Sequence, residues 1–498
     1  MGKVNRANLK KTISYLKRNG PGKTWYAVRE RLEERKQPPY VWIPPSEAEL
    51  ERQRTDWKER GLSASFSILV PAYRTKPEYL RELLDSLCRQ TYPKWELLLA
   101  DATEDHSVER VAGEYTDARI RYIRLKQNGG IAENSNQVLS YITGDYAGLL
   151  DHDDVLTPDA LYEIAAAIEE RRRRGSAPRV LYSDEDKCNG DRTQYYEPNF
   201  KEDFNLDLLL SNNYICHFLV MEKTLIQKLK FRSEYDGAQD YDLVLRAAAE
   251  LGTAMPRQGA KLRQIPLSRQ IPEPQQNAVP QPGAGLQQSA GMPKAAKAPG
   301  EKGESILHIP RVLYHWRCHT GSTAENPESK RYAYEAGRRA VQDYADRAGW
   351  RSRAEDTDHV GFYRLRYEGG IFESRPDVGT VGGRLVSRGR VAGGRLTEEG
   401  KAMYAGLPVR YSGYLHRAVL HQDAYAVDLR NIQVRPECRE LFRQITGVSY
   451  QTVPGRDIFD VSRLPGDCDI LLLSLEFGRA VREAGYRNLY LPERTVIL

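Results

Sequence analysis

The sequence predicts an α/β protein: a mostly parallel sheet flanked by helices, with a helical N-terminal segment and a smaller C-terminal α/β segment. Three observations predict this. Runs at 66–70, 95–101, 119–125 and 146–150 have the length of strands, the third of them alternating with arginines. Between the first two, Leu80, Leu83, Leu84 and Leu87 recur at helical spacing on one face. Strands alternating with helices require crossover connections, and crossovers give parallel neighbours.

Residues 1–62 read as helical and polar. Ser46 after Pro44-Pro45 is a helix N-cap, and Glu49 three positions on completes a capping box. Residues 63–252 form the sheet-bearing core. Ligands of open parallel sheets sit beyond the carboxyl ends of the strands. Pro71, Asp101 and Asp151 all fall at such ends, so the pattern brings them to one crevice. Residues 253–305, rich in Pro, Gln, Gly and Ala without periodicity, cannot bury enough apolar surface to offset chain entropy and read as a disordered insertion. Residues 306–350 complete the core with a helix near 332–348. Residues 351–498 form the further α/β segment, with Gly-rich turns expected near Gly382-Gly383 and Gly393-Gly394.

A length of 498 residues implies more than one domain, and a 40% hydrophobic content supplies a core despite a mean hydropathy of -0.63. The net charge of +6 is modest and speaks against a nucleic-acid binder. The basic excess gathers at Lys3, Arg6, Lys10, Lys11, Lys17, Arg18 and Lys23 with no acid among them. Two readings stay open: a solvated helix face, or weak peripheral attraction to an anionic membrane. The six cysteines make no CxxC pair, so reduced thiols are expected. No apolar run reaches the roughly 20 residues of a membrane span, and the N-terminus lacks the apolar stretch of a signal peptide. The expected location is cytoplasmic, soluble or peripheral at the inner face of the membrane.

The strongest chemical feature is Leu149-Leu150-Asp151-His152-Asp153-Asp154 at the end of an apolar run. Carboxylates at a strand end suit a hard divalent cation, Mn²⁺ or Mg²⁺, whose remaining ligands come from substrate phosphates. Such an ion offsets the charge of a leaving diphosphate. The alternative is an acidic turn capping the helix from Thr157-Pro158. Asp240, just before a helix at 241–250, is a second carboxylate of interest, either as general base or as N-cap.

These pieces sit among others in a specific order: Ser67-Ile68-Leu69-Val70-Pro71-Ala72-Tyr73, Gln90-Thr91-Tyr92, Glu96-Leu97-Leu98-Leu99-Ala100-Asp101, Asn128-Gly129-Gly130-Ile131 with Asn136, then Asp151-His152-Asp153. Residues 66–154 thereby resemble the nucleotide-binding half of family 2 glycosyltransferases, which have the Rossmann-like GT-A fold. The resemblance implies that Pro71, Tyr73, Asp101, Asn128, Asn136 and Asp151 face the donor nucleotide. Asn136 could instead cap a helix, and Gly130 reads as a turn glycine. Ala102-Thr103-Glu104-Asp105 replaces the Gly-Ser-rich turn of many members, which leaves the base open. Asp151 and Asp153 would bind the metal, with His315 of Tyr314-His315-Trp316-Arg317 completing its shell and Arg317 meeting the diphosphate. Asp240 would be the base, beside Gln239 where members commonly carry Glu. Asp184 and Glu185 of Tyr182-Ser183-Asp184-Glu185-Asp186 would hold acceptor or donor sugar, unless they form an exposed acidic turn.

A subgroup that builds rhamnose-containing and related cell-surface polysaccharides shares these segments. Residues 377–385 and 480–488 are similar to parts of a second transferase module in its longer members, so 351–498 reads as a truncated, degenerate module. The implied activity is inverting, metal-dependent sugar transfer from a nucleotide-sugar donor to a surface glycan or polyprenyl-linked acceptor. The alternative is a non-catalytic scaffold of a polysaccharide-assembly complex. A nucleotidyltransferase is disfavoured because Pro71-Ala72-Tyr73-Arg74 holds no glycine for a phosphate loop, and a glycoside hydrolase because it needs no metal–diphosphate site.

Overall fold

A computed structural model describes residues 6–253, 305–319 and 331–498. The insertion expected at 253–305 falls almost wholly outside the described residues. Helix α1 (Arg6–Glu34) is broken at Gly20, whose φ of 77° and the following Pro21 interrupt its hydrogen-bond ladder. A second helix, Glu47–Asp56, starts where its cap was expected: the Ser46 hydroxyl accepts the Glu49 N–H at 3.2 Å.

Nine strands among the described residues make the central sheet: β1 (Phe66–Ala72), β2 (Trp95–Asp101), β3 (Ile120–Arg124), β4 (Tyr146–Leu149), β5 (Val155–Leu156), β6 (Val180–Asn189), β7 (Tyr195–Asn199), β8 (Leu219–Glu222) and β9 (Ile306–Cys318). Their order is β3-β2-β1-β4-β8-β6-β9-β5, with β7 against β6. The first four are the parallel strands the sequence predicts, in register Ala72↔Asp101↔Arg124. Beyond β4 the sheet is mixed. β8 pairs antiparallel with both β4 and β6, while β9 runs parallel to β6. Alternating side chains sort onto two cores: Leu69 and Leu98 face one, Ile68, Val70, Leu97 and Leu99 the other. Helices cover both faces, so the apolar strands are buried throughout.

The acidic stretch 184–186 is no exposed turn. It lies inside β6, bulged around Asp184, and all three carboxylates are buried. The C-terminal segment builds its own sheet on Val378–Ser387, which pairs in parallel with Arg487–Ile497. Gly382-Gly383 is therefore strand, not turn. A Cβ on Gly383 would lie 1.8 Å from the Arg494 carbonyl oxygen, so only glycine permits this approach of the two strands. All six cysteines are unpaired, as expected.

Candidate functional site

The acidic loop leaves the carboxyl end of β4 and is held from beneath by β9. The Asp151 N–H donates to the Tyr314 hydroxyl at 3.4 Å, and that hydroxyl donates to Asp154. The Arg317 N–H donates to Asp154 at 2.7 Å and its Nε to the Asp153 carbonyl at 2.5 Å. Its guanidinium also pairs with Glu82 at 2.6 Å and stacks over Tyr79. Arg317 is 0% exposed. The expected diphosphate contact is corrected accordingly: Arg317 is a strut of the loop, enclosed by the groups it fixes. Burial, with the Asp153 and Asp151 charges, pushes the Asp154 carboxyl well above the usual range.

The side chains that converge beside the loop differ from those expected. Asp151, Asp154 and His217 offer ligand atoms within 4.8 Å of one another. Asp153 turns aside, its Oδ2 2.9 Å from His319 Nε2. His315 does not join them. Its Nδ1 lies 2.5 Å from Asp186, and its ring packs against Trp42 and Tyr195, because side chains alternate along β9 and His315 points away from the face that carries Tyr314. His217 lies beside Asp151 instead. It precedes β8, stacks on Tyr314 with centroids 4.6 Å apart, and sits with Nε2 3.7 Å from Asp151 and Nδ1 3.2 Å from Glu185. Burial opposes its charged form, yet Cys216, Asp151 and Glu185 outweigh burial and raise its pKa well above that of a free imidazole.

Glu185 is the support of this corner. It accepts from Asn199, from the buried Lys201 ammonium at 3.2 Å and from the His217 N–H at 3.2 Å. Burial would raise its pKa, but Lys201 and His217 lower it to about 2. Asp184 accepts from the Lys201 N–H at 2.8 Å and pairs with His308. Both carboxylates are thus internal, 4% and 6% exposed, which corrects the expectation that they meet a sugar directly.

Asp240 occupies the first turn of the helix Gln239–Glu250, half-buried. Its Oδ2 accepts from Asn213 Nδ2 at 2.8 Å and from the Cys216 thiol at 3.4 Å. Burial pushes that thiol up to about 12, so it stays a donor. Cys216 Sγ is also 3.4 Å from His217 Nε2. A line of contacts therefore joins Asp151 to His217, Cys216 and Asp240. Gln239 folds back to accept its own Gly237 N–H at 2.8 Å, away from a ligand role.

On the nucleotide side, Asp101 is 0% exposed, with Thr103 N–H, the Tyr122 hydroxyl and Arg124 around its carboxylate. It shapes the strand end instead of presenting a free oxygen. Pro71 lies level with Ala100 in β1, and the Tyr73 hydroxyl donates to Glu104 at 2.8 Å. Asn128 accepts the Gly130 N–H and the Asn134 amide, closing its turn. Gly130, at φ 88°, is the expected turn glycine; a Cβ there would meet Asp236 at 2.5 Å. Asn136 neither caps nor faces the crevice: its amide bonds both the N–H and C=O of Phe231 at 2.9 Å.

Sequence reading missed His217, Cys216, Asn213 and Lys201. The signal was a polar Cys-His pair between an apolar helix, Leu206–Ser211, and an apolar strand, β8.

Residues 67–230 match Glycosyl transferase family 2. An uncharacterized protein, y4gI, of Sinorhizobium fredii is 32% identical over 290 residues, covering 57% of this chain and 26% of that protein. The O-antigen biosynthesis protein RfbC of Myxococcus xanthus is 34% identical over 309 residues, 60% of this chain and 19% of its own. The putative colanic acid biosynthesis glycosyl transferase WcaA of Escherichia coli is 26% identical over 193 residues, 37% of this chain and 67% of that one. The chain thus spans about a quarter or less of the first two relatives it matches. Among solved structures, S. aureus TarS 1-349 in complex with UDP overlaps 56% of this chain and 65% of its own, at 18% identity and a TM-score of 0.36.

Proposed function

We propose that this protein, whose residues 67–230 match Glycosyl transferase family 2, is an inverting, metal-dependent glycosyltransferase that takes a nucleoside-diphosphate sugar as donor and a cell-surface glycan or its lipid-linked precursor as acceptor. The surface-glycan assignment draws on the names of RfbC and WcaA. The observation that carries the chemistry is the line Asp151, His217, Cys216, Asp240. It couples a cation-binding corner to one carboxylate at a helix start.

The donor set fits a divalent cation: two carboxylates and an imidazole converge, and burial together with the Asp153 and Asp151 charges raises Asp154. The imidazole favours Mn²⁺ over Mg²⁺, which prefers oxygen ligands and its own waters. When bound, the ion would offset charge on the leaving diphosphate. Asp240 takes the acceptor hydroxyl proton. Both its protein contacts fall on Oδ2, which leaves Oδ1 to face the incoming hydroxyl. With Asp240 as the base, attack from the face opposite the diphosphate would invert the anomeric carbon. Pro71, Tyr73 and Asn128 line the nucleotide side.

The test is release of nucleoside diphosphate from a panel of UDP-, GDP- and dTDP-sugars, with Mn²⁺, Mg²⁺ or chelator, by wild type, His217→Ala and Asp240→Asn. The expected result is metal-dependent release from one donor, with metal dependence abolished in His217→Ala. Absence of both turnover and metal-dependent nucleotide binding would favour the scaffold.

A further inference from the structure

The second half of α1 is amphipathic the wrong way round for a soluble surface helix. Its inner side is held by polar bonds. Glu30, 9% exposed, accepts the Ser412 N–H at 3.0 Å and the Gly413 N–H at 2.7 Å, and Lys23 pairs with Asp358. Its outer side is apolar: Trp25, Val28 and Leu32 are 64%, 37% and 54% exposed. Their spacing of three and four residues stacks them in one stripe, on the side of the helix opposite Glu30. An ordinary surface helix buries such a stripe against the core. Scattered exposed apolar residues need no explanation, but a register-matched stripe facing away from the fold does.

Charge identifies what covers it. Arg29, paired with Glu33 at 3.3 Å, flanks the stripe within the helix and Arg35 follows in the turn just past its end; both are exposed. Between Thr12 and Lys36 basic residues outnumber acidic ones seven to three, and one of the three acids, Glu30, is turned inward. Beyond the helix, Tyr40 and Trp42 turn inward to Asp186 and His315, leaving Val41 and Ile43 outward at 67% and 68% exposure. Tryptophan and aliphatic side chains framed by arginines are the composition of a helix lying in the headgroup layer of an anionic bilayer.

We infer that the outer face of α1 at Trp25, Val28 and Leu32 seats the protein on an anionic lipid surface, with Arg29 and Arg35 meeting the headgroups. The contact lies further along the chain than the basic cluster that first suggested one. It stands apart from the catalytic reading, because none of these residues touches the acidic loop or Asp240.

The test is flotation of the full chain with vesicles of phosphatidylcholine alone or mixed with phosphatidylglycerol. Wild type should float only with the anionic vesicles, and W25S/V28S/L32S should partition at least about tenfold less, with donor hydrolysis in solution unchanged. R29E/R35E should lose the preference for anionic lipid. As a check that does not depend on the triple variant folding, lipids brominated along the acyl chain should quench tryptophan emission of wild type more than that of Trp25→Phe. Flotation of the triple variant equal to wild type, equal quenching of wild type and Trp25→Phe, or no binding to anionic vesicles would each overturn the inference. Self-association that the triple variant abolishes, without vesicle binding, would assign the face to a second copy of the chain.

Discussion

Two carboxylates of this protein answer different questions. Asp240 is half-buried and held on one oxygen only, whereas Glu185 is enclosed by Lys201, His217 and Asn199. Asp240→Asn should leave donor affinity intact and lower turnover by about 10²- to 10⁴-fold, the contribution of a positioned base; a loss of donor binding with unchanged turnover would remove Asp240 from that role. Glu185→Gln should act on stability instead. It leaves the buried Lys201 ammonium without its counter-charge, at a cost of about 3–5 kcal/mol. Glu104→Gln, which alters an exposed pair with Arg74 and the Tyr73 hydroxyl contact, should shift stability far less. Denaturant midpoints of the two variants measure the contrast. The depressed pKa of Glu185 has a direction in pH. The folded carboxyl titrates at about 2, below its unfolded value of 4.5, so its stabilisation is complete above 4.5 and is lost as pH falls from there toward 2. The acidic loop was legible as carboxylates at the end of an apolar strand, whereas Asp240, at a helix start, was singled out by family resemblance. His217 was not legible: its partner Glu185 is 32 positions away, and no local pattern joins a histidine to a carboxylate across two strands.

At the scale of elements, β1, β2 and β4 were legible because each is a short apolar run buried in the sheet, while β3, at the sheet edge, alternates apolar residues with arginines. β6 was not, since Asp184, Glu185 and Asp186 inside it read as a turn until their buried partners are known. The same holds for Gly382-Gly383, where the need for glycine comes from a strand about a hundred residues away. The seat of α1 is another such case. His359 stacks on His416 with centroids 3.7 Å apart, and Tyr15 of α1 packs against His359. Burial lowers their pKa values to about 4 and about 3. An imidazole depressed from 6.5 stabilises fully above 6.5, and that contribution is lost as pH falls toward the folded value. For His359 alone the span is worth up to about 3 kcal/mol. Melting temperatures from pH 7.5 to 4.5 should therefore fall more steeply in wild type than in His359→Phe/His416→Phe. Parallel curves would mean that the pair does not govern acid sensitivity.

Across the whole molecule, the C-terminal segment is fastened to the core by buried charge. Arg375 is 0% exposed and lies between Asp207 of the core, at 2.8 and 2.9 Å, and Asp377. Asn205 and Leu206 bond Asp423, and Arg395 pairs with Glu202. The stretch that receives these bonds continues from Lys201, which braces Glu185. We therefore expect residues 351–498 to act as a packing partner of the site. Arg375→Ala removes the bidentate partner of buried Asp207 and leaves Asp377 only Arg487, at 3.4 Å; it should lower stability by about 3–5 kcal/mol and donor turnover with it. A variant that unfolds like wild type would separate the two parts. Strand β9 carries a last consequence. Tyr314 and Arg317 hold the acidic loop, yet Tyr314 lies 160 positions after Asp154. During synthesis at about 5–20 residues per second, the loop waits about 8 to 32 seconds for the strand that fixes it. A nascent chain stalled anywhere in that interval exposes an incomplete sheet and unrestrained carboxylates, so codon changes between β4 and β9 should alter the yield of active protein with no change in its sequence.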